Sequence, residues 1–197
     1  MALDRLVGGM RLLRLALLLA VFAGLALSGP RPAAAAPLRV AVVPYINSSG
    51  ETRNVVDATV SSKLEGYFHS GYYEQVPPGE VADFLWRSGY GLPLRLLPEK
   101  ELLQSLAAAT GADAVLAFDF TRIQAWRRSS WFYAYTIGGV SMYVKALSVA
   151  DNNFITLRIE REEKLRASRF GPGVSERVAL GAAIEAGMDE MFSRLPF

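Results

Sequence analysis

The stretch VSMYVKALSVADNNFITLRIE, residues 140–160, decides the fold of this chain. It contains two strand patterns separated by the polar turn Ala150–Asn153, which predicts a hairpin. In the second strand Ile155, Leu157 and Ile159 alternate with polar residues, and successive side chains of a strand point to opposite faces. The pattern therefore predicts a sheet with one apolar face and one solvated face.

The strands of this hairpin belong to a group of three long strands. The three predicted strands cover residues 112–124, 132–149 and 155–167. Gly138 and Gly139 interrupt the middle one, which predicts a bulge or bend at that point.

The preceding sequence alternates between short strands and helices. LRVAVVPYI, residues 38–46, reads as a buried strand, and YYEQVP, residues 72–77, as a short one. Helical spacing of apolar residues predicts two helices before residue 90, a third over residues 99–110 and a closing helix. Asn54 is expected to cap the first of these helices and Ser175 the last. The order is β-α-β-α-α-β-β-β-α. It predicts an α+β fold with a single mixed sheet and helices packed on its apolar face.

The amino-terminal segment has the three parts of a secretory signal peptide. Three arginines within the first 14 residues precede the apolar run 15–27, and alanines fill positions 33–36. We expect residues 1–36 to be the signal, with cleavage near Ala35 or Ala36, and residues 37–197 to be a single periplasmic α+β domain. An uncleaved membrane anchor is the alternative, although the apolar run is shorter than the roughly 20 residues that span a bilayer.

Removal of that segment changes the charge balance. The whole chain has 21 Lys+Arg and 19 Asp+Glu. Residues 1–36 hold four arginines and one aspartate, so residues 37–197 retain 17 basic and 18 acidic side chains. The basic character of the full chain therefore gives no reason to expect nucleic acid as a partner.

The residues present do not suit common catalytic or metal sites. The chain has no cysteine, which rules out a lipid-modified cysteine, thiol catalysis and thiolate metal ligands within it. His69 is the only histidine, and no serine belongs to a recognisable triad motif. We therefore expect no enzyme activity, no catalytic residues, no metal and no cofactor.

The order of the motifs resembles a superfamily of bacterial envelope proteins. The residues that carry the resemblance are the opening strand VAVVPYINSSGE, the helix-to-strand step LLQSLAAATGADAVLAFDF, the hairpin VSMYVKALSVADNNFITLRIE and the closing VALGAAIEAGMDEMFSRL. The superfamily includes the curli assembly component CsgG, the LpoB-like activators of penicillin-binding proteins, and the amino-terminal domain of the TolB propeller protein. The resemblance covers nearly all of residues 37–197.

The resemblance implies a non-enzymatic periplasmic domain that contacts other envelope proteins. Two features depart from the family. Many members are lipoproteins, whereas this chain has no cysteine to acylate. The curli pore uses long membrane-spanning hairpins, whereas AWRRSSW, residues 125–131, is too short for one. We therefore expect no lipid modification and no pore.

The loop after the first strand is a candidate ligand site. A loop that precedes a helix can bind an anion through free N–H groups. The loop lacks the glycine pattern of a phosphate-binding loop, and the alternative is a connection whose side chains satisfy their own backbone. The residues concerned are Asn47, Ser48, Ser49 and Glu51.

The end of the first long hairpin is a candidate contact surface. QAWRRSSWFYAYT, residues 124–136, crowds aromatic rings beside two arginines. Trp and Arg dominate protein interfaces, and they also suit a peripheral contact with a membrane. A cross-strand aromatic pair that stabilises the hairpin is the structural alternative. The candidate residues are Trp126, Arg127, Arg128, Trp131, Phe132 and Tyr133.

These patterns predict an exported, non-enzymatic interaction or assembly domain of the cell envelope whose partners are other envelope proteins. A periplasmic protein that binds a small ligand or a glycan, with Trp86 and Tyr90 in its site, is the alternative function. The sequence leaves the oligomeric state and the identity of the partner open.

Overall fold

The computed structural model describes residues 36–69, 71–129, 134–167 and 173–197. Residues Pro37–Phe197 form one compact unit. The strands within the described residues are β1 (Leu38–Val42), β2 (Ile46–Asn47), β3 (Tyr73–Gln75), β4 (Ala114–Ser129), β5 (Ala134–Ser148) and β6 (Asn153–Ala167). The helices within them are α1 (Asn54–Phe68), α2 (Pro78–Arg87), α3 (Lys100–Thr110) and α4 (Glu176–Ser193).

All six of these strands belong to one sheet in the order β3-β1-β4-β5-β6, with β2 paired to β4. β1 runs parallel to β3 and β4, and β2 also runs parallel to β4. The long strands β4, β5 and β6 are antiparallel neighbours. The predicted α+β class, the single mixed sheet and the element order are confirmed; the first predicted strand is divided into β1 and β2.

The helices lie on both faces of the sheet at the β1 end. Val40 and Val42 point into a core that α1 and α4 cover, and we call this the first core. Ala41 and Val43 point into a second core, which α2 and α3 cover. The prediction that helices pack on one face of the sheet is therefore correct for the far parts of β5 and β6. β1 is covered by helices on both faces. Its unbroken apolar run is typical of a strand buried on two faces.

The two glycines of β5 do not form a bulge. The pairing of β5 with both neighbours continues without a shift through Gly138 and Gly139. A Cβ on Gly138 would lie 2.5 Å from the backbone carbonyl carbon of Ala179 in α4. The predicted bulge at this position is therefore wrong. Glycine is needed here because the helix backbone rests directly on the strand.

The irregularity of the sheet lies in β4 instead, where the register shifts between Phe120 and Arg122. Phe118 and Phe120 point into the first core, and after the shift Ile123 does the same. An extra residue in a strand moves all the later side chains to the other face. The shift therefore keeps Ile123 in the core and puts Arg122 on the opposite face.

The observed helix ends agree in part with the caps predicted from the sequence. Ser175 caps α4 as predicted, since its Oγ accepts a hydrogen bond from the backbone N of Val178 at 3.3 Å. Gly111 ends α3 in the left-handed conformation, with a φ of 63°. The expected capping role of Asn54 is wrong, because it is the first residue of α1 and follows the N-cap residue Arg53.

Candidate interaction surface

The far parts of β4, β5 and β6 have one face that the second core does not reach. That core ends at Ala117 on β4, at Leu147 on β5 and at Phe154 near the start of β6. Beyond these positions, cross-strand neighbours share the face opposite to the first core. We call this surface the open sheet face. It carries Arg122, Gln124, Trp126, Arg128, Tyr135, Tyr143, Arg158, Glu160, Glu162 and Lys164.

Trp126 lies on the open sheet face over the backbone of Gly139. A Cβ on Gly139 would lie 3.2 Å from Cζ3 of Trp126 and 3.6 Å from Cγ of Gln124. The cross-strand neighbour of Trp126 is Ile137, which is buried although it belongs to neither core. An aromatic ring laid over a glycine pins the strand pair. The indole therefore stabilises the hairpin and stays half-buried on the surface.

Cations lie over the tyrosine rings of the same face. The Lys164 Nζ is 4.0 Å from the centroid of the Tyr135 ring, and the Arg158 Cζ is 5.7 Å from that of Tyr143. The guanidinium of Arg158 also donates to Glu160 at 2.5 Å. These contacts hold long side chains flat on an exposed sheet surface.

The predicted contact residues at the hairpin end divide between two faces. Trp126 and Arg128 lie on the open sheet face. Arg127 belongs to the other face, where its guanidinium lies against Gly173, in the segment that leads into α4. Trp131, Phe132 and Tyr133 lie outside the described residues. The described part of the chain therefore brings two of the six predicted residues together.

The opening loop satisfies its polar groups internally. Ser48 donates to the carboxylate of Asp119 from its backbone N at 3.1 Å and from its Oγ at 2.9 Å. The Ser49 Oγ donates to the Asn47 side chain at 2.5 Å, and Asn47 Nδ2 donates to the backbone O of Glu51 at 2.7 Å. These four predicted loop residues come together, and their contacts fit the alternative of a self-bonded connection.

Further bonds fix this loop to the helices. The Glu51 carboxylate accepts from the backbone N of Arg53 at 3.0 Å, and the guanidinium of Arg53 lies 3.4 Å from the carboxylate of Glu176 in α4. The Tyr45 hydroxyl donates to Asp57 of α1. Burial, followed by this hydrogen bond, raises the pKa of Tyr45 above its usual value. The loop thus joins β2, α1 and α4.

The described residues hold no cluster of three or more His, Cys, Asp or Glu side chains that suits a metal ion. His69 is exposed at the end of α1, and its Nδ1 lies 2.9 Å from the carbonyl oxygen of Glu65. The carboxylate of Asp119 is occupied by the backbone N and the hydroxyl of Ser48.

The residues of the alternative ligand site lie near the end of α2. Trp86 is 70% exposed, whereas Tyr90 is half-buried and packs against the second core. The two rings therefore do not form a matched pair of exposed stacking surfaces. Within the described residues, no helix is both long and apolar enough to cross a membrane.

Most of the open sheet face was not predicted from the sequence. The charged residues of the last strand were expected on a solvated face, without a connection to Trp126. The available signal was the break in alternation after Phe120, together with a glycine at position 139, where a large ring can lie.

No family model matches the chain, and no curated protein matches it. Its fold is similar to a lipoprotein from Neisseria meningitidis, at 17% identity and a TM-score of 0.44, over 80% of this chain and 99% of that chain. The fold is also similar to a hypothetical protein from Chlamydia trachomatis, at 13% identity and a TM-score of 0.45, over 81% of this chain and 95% of that chain. For the C-terminal domain of LpoB from Salmonella enterica the identity is 12% and the TM-score is 0.40, over 68% of this chain and 86% of that chain.

Lipoprotein and LpoB structures are thus among those that the chain resembles in fold. The identities and scores are too low to support an argument about function. The likeness to the curli and Tol-system proteins stays a prediction.

Proposed function

We propose that this protein is an exported, non-enzymatic interaction domain that binds other envelope proteins through its open sheet face. The observation that carries the proposal is the half-buried Trp126 in the middle of that face, between Gln124 and Arg128 on β4. Trp, Tyr and Arg supply most of the binding energy in protein interfaces. Here all three residue types occur on one accessible sheet surface.

The charges of the open sheet face favour a protein partner. The cations Arg122, Arg128, Arg158 and Lys164 are interspersed with the anions Glu160 and Glu162. A surface of mixed sign suits a partner of mixed sign, whereas nucleic acid and anionic lipid select a uniformly basic patch. The face is three strands wide, which gives room for a contact larger than a small ligand needs.

The location is part of the proposal. The signal-like residues 1–36 would direct export, and residues 37–197 would act in the periplasm or at the envelope. With no cysteine in the chain, attachment to a membrane would depend on surface contacts instead of an acyl chain.

A change of side-chain charge at three positions of the open sheet face tests the proposal. The variant combines Gln124→Arg, Arg128→Glu and Arg158→Glu, all at exposed positions, so folding should be retained. After cross-linking in intact cells, mass spectrometry should show a loss of at least about tenfold in the captured partner, as expected for the loss of an interface hot spot.

The matched control changes exposed charges on α4, which covers the other side of the sheet. Arg177→Glu with Glu185→Arg should leave capture unchanged. Equal capture by wild type and the open-face variant would refute the proposed surface.

A further inference from the structure

The last strand of the sheet, β6, has a long and regular edge. It pairs with β5 at every residue from Asn153 to Ala167 without a shift, and no strand among the described residues pairs with its other side. Its sequence contains no proline and no glycine. The opposite edge of the sheet is β3, which has three residues. Proteins commonly prevent an edge from pairing by short length, proline or a bulge, and β6 has none of these features.

The middle of β6 carries an exposed cation and an exposed anion on either side of a buried residue. The side chains of Arg158 and Glu160 are 63% and 49% exposed, and Arg158 donates to Glu160 at 2.5 Å. Ile159 points to the other face of the sheet and is buried in the first core. Charged side chains on an edge oppose pairing with most other strands, so a strand that pairs here must match these charges.

The charges of β6 match those of a second copy of β6. When a strand pairs antiparallel with its own copy about a twofold axis, one residue lies opposite itself and opposed residues share a face of the sheet. With Ile159 at the axis, Arg158 of each copy lies opposite Glu160 of the other. The charged residues 161–164 then lie opposite the uncharged residues 157–154. No like charges are opposed in this register.

The neighbouring registers are less favourable. An axis at Arg158, Glu160, Arg161 or Glu162 puts that charged side chain directly opposite its own copy, and like charges in that position destabilise a strand pair. Among axes near the middle of β6, the charge pattern therefore favours the one at Ile159.

We propose that a second copy of this chain pairs with the free edge of β6, antiparallel and centred on Ile159, so that two sheets join into one. The free backbone N–H and C=O groups of the edge supply the hydrogen bonds, and the two Arg158–Glu160 pairs fix the register. An unrelated strand would have to present the same charges in reverse order, which a second copy does by symmetry. A contact between two strand edges is smaller than a standard interface of about 1,600 Å², so the dimer should be of micromolar affinity.

Sedimentation velocity of purified residues 37–197, from micromolar to millimolar concentration, tests the inference, because both cores lie within these residues. The wild type should change from monomer to dimer as its concentration rises. Arg158→Glu alone opposes two pairs of anions near the axis, and Glu160→Arg alone opposes two pairs of cations. Both positions are exposed, so folding should be retained, and each change should raise the dissociation constant of the dimer by at least about tenfold.

An equal mixture of the two single variants should dimerise with nearly the affinity of the wild type. One chain then carries two anions and the other two cations, so both opposed pairs again have opposite sign. Misfolding of either variant would not produce this recovery. A wild type that stays monomeric throughout the series would overturn the inference, and so would a mixture that does not recover the dimer.

The matched control is Gln124→Arg with Arg128→Glu, which changes charge on β4, two strands away on the same face. It should dimerise like the wild type, and a loss of the dimer in this variant would contradict pairing through the β6 edge. The assay contains no envelope protein, so its result does not depend on the proposed function.

Discussion

Substitution of Gly138 by alanine should disrupt the contact between β5 and α4. The added Cβ would overlap the carbonyl oxygen of Ala179 and lie 2.5 Å from its carbonyl carbon, where real Cβ contacts essentially never fall below 3.0 Å. It would also lie 3.1 Å from the Cβ of Ala183. The clash is with helix backbone, so no side-chain rotation relieves it and α4 must shift away.

The expected cost is about 3 kcal/mol, at the upper end of the range for overpacking a core. Alanine also lowers the conformational entropy of the unfolded chain, which offsets only about 0.4–1 kcal/mol of this cost. The net cost is then about 2–2.6 kcal/mol, and with a urea m-value of about 2 kcal/mol/M the midpoint of unfolding should fall by roughly 1–1.3 M.

The adjacent Gly139→Ala is the matched control. Its Cβ would meet side chains only, the edge of the Trp126 ring at 3.2 Å and Cγ of Gln124 at 3.6 Å. The indole lies on the surface and can move, so we expect a change in the free energy of unfolding of less than about 1 kcal/mol. Equal midpoints for the two variants would refute the argument that α4 rests on the backbone of β5.

Three further substitutions test other contacts. Glu190→Gln removes a carboxylate that pairs with guanidiniums from β6 and from the end of α4; urea unfolding should show a loss of about 1–2 kcal/mol, whereas the exposed Glu185→Gln should leave the midpoint unchanged. Ser175→Ala removes the cap of α4 and should cost about 1 kcal/mol in the same assay, so an unchanged midpoint would contradict the cap. Tyr45 has a raised pKa when folded, so it stays protonated while the unfolded chain ionises; its contribution to stability is lost as the pH rises above about 10. Tyr45→Phe should therefore reduce the alkaline loss of stability, and an unchanged slope would count against the buried hydrogen bond to Asp57.

The element order of the fold was predictable because it depends on local patterns. Alternation in β6, a glycine after α3 and a serine before α4 each act within a few residues. The division of the helices between two faces of the sheet was harder to predict from the sequence, although the unbroken apolar run of β1 indicated it. That run leaves no face of the strand for solvent, whereas a strand that is covered on one face alternates between apolar and polar residues.

The candidate surface was harder to predict because it depends on register. The shift between Phe120 and Arg122 puts Trp126 on the open sheet face, and nothing local fixes where such a shift occurs. Local sequence likewise led to the wrong prediction of a bulge at Gly138 and Gly139. Their roles come from distant partners, a helix backbone on one face and an indole ring on the other.

The central claim is that the open sheet face contacts an envelope protein, and site-specific photo-cross-linking in intact cells tests it most directly. A photoreactive residue placed at Gln124 should give a discrete cross-linked band containing an envelope protein. The same residue placed at Glu185, which is exposed on α4 across the sheet, should give no such band. A band of equal intensity from both positions, or a band from Glu185 alone, would contradict the claim.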